Sequence, residues 1–163
     1  MNEQTVSPHT HLEGGANYEA ALDVLIRRAT QRLRFFDHAL GRAFNASRRH
    51  DLLRAFLLAS RANRLQIVVH DPANIIRDCP RLAGLLRQYT HAVSIHQTLP
   101  EARGVYDPFA VADEHHFVHR FHYEDTRAVL ALDDPQGARH FAERFDEIFE
   151  ASIPAVAATT LGL

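Results

Sequence analysis

A chain of 163 residues that is 46% hydrophobic and 23% charged, with a formal net charge of −2, has the size and make-up of one domain with a buried core. Disordered, collagenous and disulfide-stapled polypeptides are excluded by these values, and the near-neutral balance supplies no global field for a polyanion. The 18 basic residues other than histidine are all arginine, which removes every chemistry that needs a lysine: a P-loop, a Schiff base, a phosphate-holding ammonium.

Residues 1–16 lack apolar periodicity and read as a mobile leader. Asn17 is a candidate N-cap for a helix to Gln31 in which Tyr18, Ala21, Leu22, Leu25, Ile26 and Ala29 share one face. Arg32 to Phe36 reads as a strand. Ser47 can cap a helix from Arg48 to Arg61, with Leu52, Leu53, Phe56 and Leu57 inward, and Leu65 to Val69 follows as a second strand. This is a βαβ unit with a crossover long enough for parallel pairing. Pro80, at the first position of the next helix, leads to a third strand, Ala92 to His96. Three closely spaced strands follow, Phe109 to Ala112, His116 to Phe121 and Arg127 to Leu132, expected as antiparallel neighbours. Asp134 and Pro135 open a last helix ending near Ser152, and the uncharged segment 153–163 is expected to dock on its own domain or on a second copy. The expected organisation is therefore a leader (1–16), an α/β domain (17–152) and an apolar tail (153–163). Its sheet is expected to be mixed, mainly parallel and flanked by helices.

The single cysteine, Cys79, makes no internal disulfide, no signal-peptide pattern opens the chain, and no apolar run approaches the roughly 20 residues of a membrane span. A cytoplasmic protein without membrane contact is expected. Cys79 at a helix start is either a packed thiol or a reactive one of depressed pKa.

The order of elements from Asn17 to Ser152, together with the stretch Tyr106-Asp107-Pro108-Phe109-Ala110-Val111-Ala112-Asp113, resembles one half of the phospholipase D superfamily. That family carries H-x-K-x4-D, in which histidine attacks phosphorus, lysine holds phosphate and aspartate orients the histidine. The resemblance puts Asp113 at the aspartate position, Pro108 at that of lysine and Tyr106 at that of histidine, and the G-S-x-N element that often follows is absent. Proline holds no phosphate, and a tyrosine of ordinary pKa near 10 is a poor nucleophile toward phosphodiesters. The chain is also similar to an uncharacterised bacterial family of stand-alone domains of this kind, through D-C-P-R-L, H-A-V-S-I-H and V-L-A-L-D-D-P. Because the superfamily builds its site from two halves, the resemblance implies a homodimer.

Chemistry-bearing residues gather at the ends of the three expected parallel strands: Asp37 and His38, His70 and Asp71, and His96. Ligands of open α/β sheets bind beyond the carboxyl ends of strands, so these residues either line a pocket or cap the following helices. Arg120 lies between apolar neighbours and needs an anionic partner, for which Asp113 across the hairpin is the candidate; alternatively Arg120 holds a bound anion. Strand alternation turns His119 away from His116 and His122, which argues against a metal set, and no cofactor motif is present. Arg48 and Arg49 in the first turn of one helix, with Arg81 and Arg87 flanking another, are a weak footprint for nucleic acid against a solvated face.

The expected function is a non-catalytic phospholipase-D-like module that binds a small anion, nucleotide or phosphodiester. The site candidates are Asp37, His70, Asp71, His96, Asp113, His119 and Arg120. The alternatives are a phosphodiesterase with altered catalytic residues, using His70, His119 or Tyr106, and a protein-interaction or dimerisation module.

Overall fold

Strict inside-outside alternation in β2 (Arg32–Asp37) organises the molecule: Leu33 and Phe35 enter one core, while Arg34 and Phe36 face the other side of the sheet. The computed structural model describes residues 9–156. Its eight-stranded sheet has the order β1-β7-β6-β5-β2-β3-β4-β8. The strands are β1 (His9–Leu12), β3 (Arg64–Val69), β4 (Val93–Thr98), β5 (Phe109–Ala112), β6 (His116–Arg120), β7 (Ala128–Ala131) and β8 (Ser152–Val156), with β2 near the centre.

The sheet is mixed and helix-flanked, as expected, but it is not mainly parallel, since five of its seven neighbouring pairs are antiparallel. Its parallel part is the trio β2, β3 and β4, and every other neighbouring pair is antiparallel. Helices α1 (Gly15–Arg28), α2 (Ser47–Ala59) and α4 (Pro80–Gln88), with the single turn α3 (Ile75–Asp78), cover the face of Leu33, Leu65, Ile67 and Ile95. Burial of each such side chain contributes roughly 1.5–3 kcal/mol. Helix α5 (Pro135–Glu150) covers the other face through Ala138, Phe141, Ala142, Phe145 and Ile148. Its N-cap Asp134 accepts from the Gly137 amide, and Gly137 is needed there because a Cβ would stand 2.6 Å from the Phe117 ring. None of these helices is long and apolar enough to cross a membrane.

Several boundaries differ from expectation. Residues His9–Leu12, placed in a mobile leader, pair with β7 as an edge strand. The start of the apolar tail, Ile153 to Val156, belongs to β8 on β4, where Pro154 is tolerated because the strand lies at the edge. Residues 1–8 of the leader and 157–163 of the tail lie outside the described residues. Helix α1 begins at Gly15 behind Gly14, and Asn17 bonds the Glu13 carbonyl instead of capping. Ser47 is already helical, and Ala46 at the cap position makes no side-chain bond. Finally, β4 runs on to Thr98, so His96 is not at its end.

Candidate functional site

The carboxyl ends of β2 and β3 and the start of β5 form one rim of the sheet, the upper rim, because β5 runs antiparallel to β2 with Phe109 opposite Phe36. Arg120, at the end of β6, reaches the same rim, its amide bonded to the Pro108 carbonyl. A cleft of about 460 Å³ opens there under the start of α1. Tyr18, Phe44 and Tyr123 supply aromatic walls, Asp37 and Asp71 carboxyl groups, and Arg120 a guanidinium. A second hollow of about 450 Å³, lined by His70, Gln97, Arg103 and Tyr106, adjoins it across a shared ridge of His38 and Asp71.

Asp37 is a strongly perturbed carboxyl group in the cleft. Burial pushes its carboxyl up to about 7, against the His38 amide, which donates to Oδ1 at 2.6 Å, and against the charge of Arg120. Burial and the neighbouring Asp37 likewise raise the Tyr18 phenol well above its ordinary value. The Arg120 guanidinium lies over the Tyr18 ring at 5.2 Å and gives its Nε–H to the Asp125 carbonyl. His38 stacks on Tyr123 with ring centroids 4.2 Å apart, and its buried Nδ1 has no hydrogen-bond partner among the described residues.

His70 is held at both nitrogens: Nδ1 stands 2.6 Å from the Thr98 hydroxyl and Nε2 2.6 Å from the Val105 carbonyl, which only Nε2–H can satisfy. Burial lowers its pKa, so the neutral imidazole is favoured. An imidazole with its proton on Nε2 and its lone pair on a hydroxyl has no nitrogen left to attack a substrate.

Of the sequence candidates, the structure brings Asp37, His70, Asp71 and Arg120 to this rim and leaves three elsewhere. His96 points to the α5 side, opposite its neighbour Ile95, stacked on Phe149 and bonded to Ser152 Oγ at 2.9 Å. His119 faces α5 as well: its Nε2 is 2.8 Å from Asp107 Oδ2, and Arg144 holds the same carboxylate with two bonds. Burial pushes Asp107 up, but these bonds together hold it below the ordinary carboxylate range.

Asp113 lies at the far end of β5, roughly 17 Å from Pro108 at about 3.3 Å per residue. It occupies the lower rim, where its oxygens accept from the amides of Thr30, Gln31 and Arg32 and from the Thr30 hydroxyl. It is therefore not the partner of Arg120, and it orients nothing at Tyr106. Burial raises its pKa, yet the backbone donors prevail and keep it below the usual value.

Other expectations resolve in the same way. Arg49 is no surface cation: only 2% exposed, it binds Asp23 and Glu19. Cys79 is buried, with its thiol pushed up to about 11 by burial, the opposite of an activated thiolate. Among the described residues no group of three His, Cys, Asp or Glu side chains is placed to hold a metal ion.

Sequence reasoning missed Tyr18, Phe44 and Tyr123 as cleft walls. They come from a helix, a short 3-10 turn and a loop, and share no motif.

Solved structures share this fold at low identity. Nuc from Salmonella typhimurium, a phospholipase D family member, superposes with a TM-score of 0.63 at 13% identity over 92% of this chain and 99% of that one. NucT from Helicobacter pylori gives 0.58 at 16% identity, over 91% of this chain and 99% of NucT. TrmBL2, an archaeal chromatin protein whose structure shows a novel mode of DNA binding, gives 0.66 at 15% identity; this chain is covered to 94% but spans 56% of TrmBL2. Likeness at such identities shows the phospholipase-D-like fold alone. No curated protein matches the sequence. A family model, described as a domain of unknown function (DUF7931), matches residues 15–161, and the chain belongs to that family.

Proposed function

We propose that this protein is a non-catalytic phospholipase-D-like domain whose upper cleft binds a nucleotide-class ligand without cleaving it. The observation that carries this reading is the composition of the cleft wall. Tyr18, Phe44 and Tyr123 offer faces for a base, Asp37 and Asp71 offer acceptors for hydroxyl and amino groups, and Arg120 offers a fork for phosphate. A bare inorganic anion suits the cleft less well, since its walls also carry Glu19 and Asp78.

The absence of cleavage follows from the groups beside it. Tyr106 and Pro108 stand at the positions that the resemblance assigns to nucleophile and phosphate holder, and both His70 and His119 are already committed to internal bonds. The same reading takes the chain as a homodimer joined over the upper rim, where Tyr106 is 55% and Phe121 45% exposed.

Isothermal titration with mononucleotides, phospholipid head groups and short oligonucleotides tests the proposal. Saturable binding of mononucleotides is expected, weakened about tenfold, near 1.4 kcal/mol, by Arg120→Met. Silence with all three probe classes would overturn it. Hydrolysis of a generic phosphodiester that disappears in His70→Ala would replace it with the hydrolase alternative. Light scattering reports the dimer, and a monomer at tens of micromolar removes that part.

A further inference from the structure

Arg34 stands out among the buried groups. It is 1% exposed, on the α5 side of β2, and its Nε and Nη1 have no hydrogen-bond acceptor among the described residues. Its ion-pair contact is with Asp146 Oδ1 at 4.0 Å, beyond hydrogen-bond reach, and that carboxylate is itself 56% exposed. A buried guanidinium without acceptors is costly, and Arg32, two residues along on the same strand face, adds a second positive charge. Burial and the charge of Arg32 both depress the Arg34 pKa.

Beside Arg34 is a cavity of about 310 Å³ at the lower rim, at the opposite end of β2 from the nucleotide cleft. Gln31, Arg32, Arg34, Asp113, Glu114 and His115 line it. Arg32 already gives one Nη2–H to Gln66 Oε1 at 2.9 Å. Asp113 does not neutralise the arginines at close range, because its oxygens are taken by three amides and a hydroxyl of 30–32. Glu114 and His115 are exposed at the mouth.

We propose that this lower cavity is a binding site for a small oxyanion of the carboxylate or phosphate class, with Arg34 as its buried anchor, Arg32 as the second cation and His115 at the entrance. The volume admits an anion of a few heavy atoms. An oxyanion there stands beside a guanidinium whose sealed Nε and Nη1 lack acceptors, its charge offsets those of Arg34 and Arg32, and planar recognition of such anions is what a guanidinium does best. The site is independent of the upper cleft and stands or falls separately from it.

The test is a thermal-shift series on the full chain with sodium phosphate, sodium acetate or sodium chloride at matched ionic strength, read together with amide chemical shifts. Phosphate, acetate or both are expected to raise the melting temperature saturably above chloride, and to move the amides of 31–34 and 114–115. The arms also tell which of the two oxyanions is preferred. Arg34→Met abolishes the response and Arg32→Gln weakens it several-fold, whereas Arg120→Met leaves it intact. If Arg34→Met does not fold, Arg32→Gln and the wild-type amide map decide. No difference from chloride, an unchanged response in Arg32→Gln, or shifts confined to the upper rim would each overturn the site. Loss of the response in Arg120→Met with retention in Arg32→Gln would assign the anion to the upper cleft instead.

Discussion

The two rims of the sheet treat the same pair of residue types in opposite ways. At the lower rim a carboxylate is saturated with donors while an arginine is short of acceptors: Asp113 takes three backbone amides and a hydroxyl, and Arg34 Nε and Nη1 are orphaned among the described residues. At the upper rim the arginine is the satisfied partner. Arg49 gives Nε to Asp23 at 3.0 Å, Nη1 to Glu19 at 2.6 Å and Nη2 to the Glu19 carbonyl at 2.9 Å, behind a cleft in which Asp37 sits with a pKa near 7. Burial alone does not say whether a charged side chain is structural or available. What separates the cases is whether the chain has already supplied the bonds that burial makes necessary.

Asp113→Ala is the strongest way to break this contrast. It strands three amides and puts a Cβ without a polar tip at φ 56°, a backbone conformation that Asp and Asn adopt more readily than Ala. We expect a loss of about 4 kcal/mol in urea unfolding, and less than half of that for Asp113→Asn, which keeps an acceptor and tolerates the same φ. The sign of the pH effect follows from a folded pKa below the unfolded value of about 3.9. The stabilisation is complete above that value and fades as pH falls through the lower folded one. A loss under about 1 kcal/mol for Asp113→Ala would mean that the amides find other acceptors.

The two buried arginines sharpen the same point at a smaller scale. Arg49→Met leaves Glu19 and Asp23 facing each other without their shared donor, and about 2–3 kcal/mol should be lost; the partial exposure of Glu19, at 34%, keeps this below the cost of breaking a fully buried pair. Arg34→Met in anion-free buffer exchanges an unsatisfied charge for an apolar side chain of similar length. It should be neutral or stabilising by about 1 kcal/mol. Equal losses for the two variants would erase the distinction between a paired and an orphaned guanidinium.

Much of the fold was legible because single patterns carried it. The β2 and β3 runs, the Phe109–Ala112 strand and the Asp134-Pro135 start of α5 each needed only local alternation or a capping residue. The edge strands were not legible. His9–Leu12 has three exposed residues of four, and Ser152–Val156 contains a proline, so neither resembles a half-buried strand until its neighbour is known. At the site, strand ends led to Asp37, His70 and Asp71 because parallel strands must share a rim. Asp113 was misplaced through spacing along the chain: seven residues separate it from Arg120 in sequence, but they sit at opposite ends of the β5–β6 hairpin, where Ala112 pairs with His116 and Phe109 with His119. His119 and Arg120, being neighbours on one strand, had to face opposite sides of the sheet. The orphaned state of Arg34 could not be read at all, since nothing in the sequence tells which donors of a buried arginine are met.

Asp37 supplies the most selective test, because its protonation is readable without unfolding the protein. With a folded pKa near 7 against about 3.9 when unfolded, its protonated form favours the fold; that contribution is fully present below about pH 3.9 and is lost as pH rises through 7. Asp37→Asn should therefore flatten the fall in stability between pH 4 and pH 7 that this group contributes. In a carbon-detected titration of the side-chain carboxyl, Arg120→Met should move the Asp37 midpoint upward, because the guanidinium favours the ionised form, while Arg34→Met at the other rim should not move it. A midpoint near 4 in the wild type would place Asp37 with Asp113 as a saturated carboxylate, and the upper cleft would lose a carboxyl group that changes its charge near neutral pH. If the midpoint is near 7, mononucleotide affinity should fall as pH rises from 6 to 8, since a carboxylate forming in the cleft repels the phosphate that Arg120 attracts.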